Sequence, residues 1–195
     1  MSGAETEGRT GVRVPAGAPA LVALLNSRPH ATPVLPDTLD DPESAWRILG
    51  PFGLSGGEQV SDEQLDAVRA LRSALMTVVE GADEEHTARG WEAVTATVES
   101  VTFRHVFSGG EVALRQVTGH PLVGRIAAVV ARLVQDDTWS RIRVCGNERC
   151  RAVFYDATRS RTQRWHSYDL CGNRANVAAY RARKSTSRTA AKPVS

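Results

Sequence analysis

The chain has 195 residues, of which 42% are hydrophobic and 24% are charged, and its net charge is +2. These values are ordinary for a soluble globular protein and leave room for one medium domain, or for a modest domain with a small module. No apolar run approaches the roughly 20 residues that span a bilayer, and the first residues lack the apolar core of a signal peptide. We therefore expect a cytoplasmic protein without a membrane partner.

The charge is unevenly distributed along the chain. Residues 138–195 contain thirteen Lys and Arg but three acids, whereas the rest of the chain holds eleven basic and nineteen acidic residues. The C-terminal segment is therefore about +10 and the remainder about −8. Such asymmetry predicts two units, one of which faces a polyanion. A merely solvated basic tail is the alternative, but the cysteines in the same segment favour a folded module.

The first part of the chain predicts a series of helices behind a leader. Gly, Ala, Pro and charged residues predict a disordered leader over residues 1–18. Helices are predicted over 19–28, over 42–50 between Pro42 and Gly50, and over 61–81. In the third, Ser61 and Gln64 form a capping-box pattern, and apolar residues then recur every three or four positions.

Two further helices are predicted on either side of a hairpin. A helix over 84–100 presents Trp91 on its apolar side. The β-rich runs VTFRHVF and EVALRQV flank a Gly-containing turn, which is typical of a β-hairpin. Residues 120–136 then return to helical spacing. The predicted fold is therefore mainly α, with a mostly helical domain over 19–137 that includes a β-hairpin.

The cysteines indicate a metal site. All three lie between residues 145 and 171, and an odd number without a secretion signal argues against disulfides. Four residues separate Cys145 from Cys150, four separate His166 from Cys171, and fifteen lie between the pairs. Two short-spaced pairs joined by such a spacer predict a tetrahedral zinc site. Asp169 is an alternative fourth ligand, but the symmetry of the spacing favours His166.

Four protein ligands would leave Zn²⁺ no open position, which predicts a structural role and no activation of water. The other histidines are scattered along the chain. No phosphate loop, nucleophile elbow or paired-His motif appears in residues 19–137. We therefore assign no catalytic and no other cofactor-binding residue, and expect that the protein is not an enzyme.

The cations around the cysteines suit contacts with phosphate. RAVFYD predicts a strand, ATRSRTQR a basic loop, and residues 172–184 one helix, which gives a small finger of short strands and a helix. Arginine and lysine beside hydroxyl and amide side chains are typical of backbone contacts to nucleic acid. The residues that we expect to bind nucleic acid are Arg159, Arg161, Arg164, Arg174, Arg181, Arg183 and Lys184.

These residues also carry a family resemblance. Residues 140–184 resemble the CGNR-type zinc finger in Cys171-Gly172-Asn173-Arg174, in the first cysteine pair, in the F-x-D element at Phe154 and Asp156, and in R-x-x-R-W at residues 161–165. Members of that family usually carry an N-terminal, mostly α domain called ABATE. LVALLNSR, with Asn26, resembles the opening of that domain, and RALRSAL resembles its central helix.

The resemblance implies a bacterial, stress-responsive transcription regulator with structural Zn²⁺. Many members of the family have Cys where this chain has His166. His is an equally good zinc ligand, so we expect the site to persist with a less negative cluster. Whether Asn173 and Arg174 support the finger or contact nucleic acid stays open.

Two functions follow from this layout. The first is a DNA-binding regulator, in which a finger over 138–184 contacts DNA and the 19–137 domain senses a small-molecule ligand or forms a homodimer. The alternative is a zinc-stabilised module that binds protein or RNA, without sequence-specific recognition of DNA. In both, residues 185–195 form a basic Ser/Thr-rich tail.

Overall fold

The structure, a computed structural model, describes residues 12–54, 60–174, 176–177, 180–181 and 184. Helices α1 (Ala18–Asn26), α2 (Pro42–Leu49), α3 (Asp62–Glu80) and α4 (Glu84–Thr97) come first. The hairpin strands β1 (Thr102–Ser108) and β2 (Glu111–Thr118) follow, and then helix α5 (Pro121–Gln135). Strands β3 (Ile142–Val144) and β4 (Val153–Tyr155) form a second antiparallel pair. The mainly α fold predicted from the sequence is confirmed.

Local signals explain the helix boundaries. Ser61 caps α3 by accepting a hydrogen bond from the Gln64 backbone N–H, and the Gln64 side chain accepts one from the Ser61 N–H, so the predicted capping box is present. Asp41 and Asp83 cap α2 and α4 through the side chain alone, by accepting hydrogen bonds from the Ser44 and His86 N–H groups. Gly90 lets α3 and α4 approach closely, because a Cβ at Gly90 would lie 2.7 Å from the Val78 side chain.

The predicted hairpin is also present. β1 and β2 pair antiparallel from Thr102↔Thr118 to Ser108↔Glu111. Gly109 and Gly110 form the two-residue turn with φ angles of 59° and 83°, which only glycine adopts readily and which matches a type I′ hairpin turn. The two β-rich runs and the Gly-containing turn of the sequence were therefore sufficient to locate both strands.

One hydrophobic cluster joins the helical part to the second strand pair. Leu21, Leu71 and Ile126, from three different helices, are fully buried, and Ile142 and Val153 of β3 and β4 belong to the same cluster. The strands that lead into the cysteines therefore pack on the helices. Every helix in the described part of the chain is too short or too polar to cross a bilayer.

A buried ion pair fixes the end of α1 against α3. The Arg72 guanidinium donates to Ser27 Oγ at 2.6 Å and to both carboxylate oxygens of Asp37. Burial alone would raise the pKa of Asp37, but the hydrogen bonds from Arg72 and from the Leu39 N–H hold it below its usual value. Asp37 is therefore ionised at neutral pH and stabilises the fold above about pH 4.

Of the leader predicted over residues 1–18, residues 1–11 lie outside the described part. The Val12 N–H donates to Ala157 O at 3.0 Å, and Ala18 begins α1. After β4, a π-helical turn spans Tyr168–Gly172, and the described residues that follow it are helical.

Candidate metal centre and basic surface

The first cysteine pair lies at the turn between β3 and β4. Cys145 directly follows β3, and its N–H donates to Ala152 O at 2.7 Å, which continues the strand pairing. The Cys150 N–H donates to Asn147 O at 2.8 Å and closes a tight turn. Arg151 leaves this turn with a φ of 56°, in the left-handed region. The turn directs both thiols to the same side of the strand pair.

The second pair is positioned by the π-helical turn, because His166 precedes the turn and Cys171 lies within it. Ser167 Oγ accepts a hydrogen bond from the Leu170 N–H, and the Cys171 N–H donates to Ser167 O at 3.0 Å. A third bond, from the Gly146 N–H to Arg164 O at 2.9 Å, ties this segment to the first cysteine turn. The side chains of His166 and Cys171 thereby face those of Cys145 and Cys150.

The four ligand atoms lie within 4.8 Å of one another. His166 Nδ1 is 3.4 Å from Cys150 Sγ and 3.7 Å from Cys171 Sγ. Tetrahedral zinc, with Zn–S near 2.3 Å and Zn–N near 2.0–2.1 Å, separates sulfur from nitrogen by about 3.6 Å. The cluster therefore fits Zn²⁺ bound through Nδ1 of His166. Asp169, the alternative ligand, is exposed on the π-helical turn and outside the cluster.

Burial explains why the cluster needs a cation. Cys145 and Cys171 are buried, and Cys150 and His166 are half-buried. Burial and the neighbouring Cys171 and Cys145 raise the pKa of the Cys150 thiol to about 11 in the absence of a metal, against a smaller lowering by the Ala152 backbone. Zn²⁺ would displace these protons and compensate the thiolate charges. Because protein atoms supply all four ligands, the chemistry of such a site is structural.

Asp156 organises the loop that carries the first arginines. Its side chain has no exposed surface. Oδ1 accepts from the N–H and the hydroxyl of Thr158, and Oδ2 accepts from the Gln163 N–H at 2.9 Å and the Arg143 guanidinium at 3.2 Å. Burial alone would raise the pKa of Asp156, but these bonds lower it, so the carboxylate stays charged. One carboxylate thus holds residues 157–163 in a compact loop.

The arginines of this loop point outward in different environments. Arg159 is exposed. Arg161 donates to Ser140 Oγ and to Asp137 Oδ2, at 3.2 and 3.3 Å, so it also contacts the end of the helical part. Arg164 is exposed and lies over the Trp165 ring, 5.4 Å from its centroid.

Three of the remaining predicted contacts lie among the helical residues that follow the π-helical turn. Arg174, Arg181 and Lys184 are exposed there, and Arg183 lies outside the described residues. Asn173, beside Arg174, is also exposed. The structure therefore leaves the side chains of Arg159, Arg161, Arg164, Arg174, Arg181 and Lys184 at the surface, and Arg161 alone among them forms an ion pair with a described residue.

The helical part forms hydrogen bonds with β4 and with the adjacent turn that carries Cys145 and Cys150, here called the cysteine turn. The sequence patterns did not predict these contacts. The Asn26 amide donates to Val153 O at 2.8 Å and accepts from the Val153 N–H at 2.7 Å. Arg28 donates to Arg151 O at 2.7 Å, and Arg151 forms an ion pair with Glu80 at 3.0 Å. The only local signal was Asn26 itself, a polar residue at the end of an apolar helix.

Comparison with protein families gives two matches in the predicted order. ABATE, described as "Putative stress-induced transcription regulator", matches residues 18–137, which is more than half of the chain. The CGNR zinc finger matches residues 141–184, which include all four ligands of the cluster. Neither family is an enzyme family. Among curated proteins, no sequence matches the chain significantly.

Proposed function

Because the chain belongs to the ABATE family and carries a C-terminal CGNR zinc finger, we propose that it is a zinc-containing transcription regulator whose finger binds DNA. The helical domain would sense a small-molecule ligand or mediate self-association. The observation that supports DNA binding most directly is the surface around the metal cluster. Zinc and the buried Asp156 hold a basic loop whose arginines face outward.

Charge supports this function. Segment 138–195 is about +10, and a cationic surface of this size attracts DNA without needing any base contact. The proposed phosphate contacts are those predicted from the sequence, of which Arg159, Arg161, Arg164, Arg174, Arg181 and Lys184 are exposed in the structure. Arg161 would contact DNA only with the part of its guanidinium that Asp137 leaves free. Arg183 stays a prediction from the sequence.

The same features argue for a regulatory and non-enzymatic role. A four-ligand zinc cluster offers no position for a substrate or an activated water. We propose a stress-responsive regulator of the bacterial cytoplasm. Its working units would be a leader over 1–18, a helical domain over 19–137, a finger over 138–184 and a basic tail over 185–195.

Salt dependence of DNA binding tests the proposal. If about five phosphates are contacted, log K should fall with log[salt] at a slope near −4.5, which is a loss of a few hundredfold in affinity between 50 and 200 mM salt. We expect this result for the zinc-loaded full chain and a labelled duplex, measured by fluorescence anisotropy. A slope near zero would exclude the proposed DNA contacts.

Matched charge variants locate the binding surface. The pair Arg159→Gln and Arg164→Gln removes two exposed cations of the finger, and should make the slope shallower by about two units. The pair Arg47→Gln and Arg89→Gln removes two exposed cations of the helical part, and should leave the slope unchanged. Equal effects of both pairs would assign the binding to net charge alone.

Immunoprecipitation of the tagged protein with genomic DNA separates the two candidate functions. A regulator predicts sharp peaks of enriched DNA, whereas a protein- or RNA-binding module predicts no enrichment.

A further inference from the structure

The β1–β2 hairpin is unusually open for a folded domain. Val106 and Gln116 are half-buried, and every other residue of the two strands is exposed. The hairpin forms a two-stranded sheet, and no third strand joins it from the described residues. An isolated two-stranded hairpin is marginally stable in water, and unpaired strand edges tend to recruit another chain. The hairpin therefore has the features of an element that is completed by a partner.

The two faces of the hairpin differ in chemistry. The register places Phe103, His105 and Phe107 opposite Gln116, Leu114 and Val112, so these six residues share one face, here called the apolar face. The opposite face carries Arg104 directly across from Arg115 and Ser108 across from Glu111, with the smaller apolar pair Val106 and Ala113 between them. The opposite face is thus mixed, whereas Phe107 and Leu114, the two most exposed large apolar residues of the hairpin, both lie on the apolar face. The apolar face is therefore the surface that a partner would cover.

The apolar face forms one wall of a cleft. Hairpin and helices enclose a half-open space of about 930 Å³. Its walls are mostly apolar and come from α4, the hairpin and the Ala127, Ala131 and Val134 side of α5. Because alanine side chains are short, they leave space in the cleft on this side of α5. Phe107 is outside the cleft lining and 79% exposed. A small ligand in the cleft would thus leave the largest exposed side chain of the hairpin uncovered.

The exposed area matches what a dimer needs. Phe107, Leu114, Val112 and Val134 are 79%, 62%, 57% and 47% exposed, and Phe103 is 37% exposed. Together they present roughly 500–600 Å² of apolar surface per copy, most of the roughly 800 Å² per partner that a standard interface buries. A patch of this size is at the upper limit for a monomer. The walls of the cleft would supply the remaining area.

We propose that the apolar face is a homodimer interface, in which the hairpin of each copy lies in the cleft of the other. A projecting Phe107 and a receiving cleft on the same chain suit a two-fold arrangement, because one contact is then made twice. This inference rests on the self-association included in the proposed function. A two-fold regulator would also match a palindromic DNA site.

The mass of the zinc-loaded full chain in solution tests the interface. Sedimentation equilibrium should give a dimer of about twice the chain mass of 21.1 kDa. Phe107→Glu and, separately, Leu114→Glu place a charge in both halves of the interface, and each should raise the dimer dissociation constant by at least about 100-fold. The matched control is Val34→Glu, at an apolar residue that is 71% exposed outside the hairpin, and it should remain dimeric.

The outcomes separate this inference from the proposed function. A wild-type chain that is monomeric at 100 µM overturns the interface, and so does a dimer that persists in both hairpin variants. Dissociation of Val34→Glu as well would show that the effect is not specific to the hairpin, which also overturns it. Zinc content and circular dichroism establish that each variant is folded. DNA binding is measured separately, so a monomer that binds DNA refutes only the dimer, and a dimer that does not bind DNA refutes only the proposed function.

Discussion

Asp156 shows how a single buried carboxylate can shape a binding surface. It has no exposed surface and accepts four hydrogen bonds, from Thr158, Gln163 and Arg143. None of these partners binds the metal, yet together they fix the loop that presents Arg159, Arg161 and Arg164. The carboxylate itself would repel DNA phosphate if it were exposed. Its complete burial removes that conflict and leaves the cations at the surface.

Asp156→Asn should weaken both the fold of the finger and its affinity for DNA. The amide cannot accept four hydrogen bonds, so the N–H of Gln163 or of Thr158 loses its partner, and the free energy of unfolding should fall by about 1–3 kcal/mol. DNA affinity should fall at least about tenfold in an anisotropy titration, although the variant is more cationic.

Asp169→Asn is the matched control for this prediction. It removes the same charge from an exposed carboxylate of the finger. Stability and zinc content should be unchanged, and DNA affinity should be equal or slightly higher. If Asp169→Asn weakens DNA binding as much as Asp156→Asn does, the organising role of Asp156 is wrong. If it loses zinc, then Asp169 acts as a ligand.

At the level of the elements, β4 is stabilised by a helix end in place of a third strand. Both hydrogen-bonding groups of the Val153 backbone pair with the Asn26 amide at the end of α1. The Thr32 N–H donates to Arg149 O, and Arg28 donates to Arg151 O. The backbone on both sides of Cys150 is therefore bound by the segment that follows α1. Removing residues 1–137 to isolate the finger would break these bonds and expose Ile142 and Val153.

Asn26→Ala should destabilise the chain without touching the zinc ligands. It leaves a donor and an acceptor of Val153 without partners, at a cost of about 2–4 kcal/mol, which corresponds to a Tm lower by about 5–15 °C for a chain of this size. Thermal unfolding of the zinc-loaded protein measures this directly. Asn176→Ala, at an exposed residue with one hydrogen bond to the Tyr168 hydroxyl, should shift Tm by little. Equal Tm values for Asn26→Ala and wild type would show that the two hydrogen bonds between Asn26 and Val153 contribute no stability.

At the scale of the whole molecule, the acidic and basic parts are physically connected. Ile142 and Val153 share the hydrophobic cluster of the helices. Ion pairs join Arg151 to Glu80 and Arg161 to Asp137, at 3.0 and 3.3 Å. These exposed pairs are weak individually. Their position nevertheless places acids of the helical part beside the cysteine turn and the basic loop. A change in the helical part can therefore reach the proposed DNA-binding surface through direct contacts.

Much of this architecture was predictable from the sequence, because its signals are local. Helical periodicity, the capping box at Ser61 and the Gly109–Gly110 turn located the main elements. The spacing of four residues predicted the clustering of the zinc ligands. The pairing of Asn26 with the Val153 backbone was not predictable, because 127 positions separate the two residues. A single side chain that binds backbone also leaves no periodic pattern in the sequence. The role of Asp156 was missed for the same reason, since two of its four hydrogen bonds come from backbone N–H groups, which almost any residue provides.

The central claim is that Cys145, Cys150, His166 and Cys171 hold one structural Zn²⁺. The most direct test is the zinc content per chain of the purified wild type, His166→Cys and His166→Ala, measured by elemental mass spectrometry after dialysis against a weak chelator. We predict one zinc for the wild type and for His166→Cys, because thiolate and imidazole both suit tetrahedral zinc. His166→Ala should retain well under half. A full zinc content in His166→Ala would contradict the ligand assignment and, with it, the structural role of the metal in the finger.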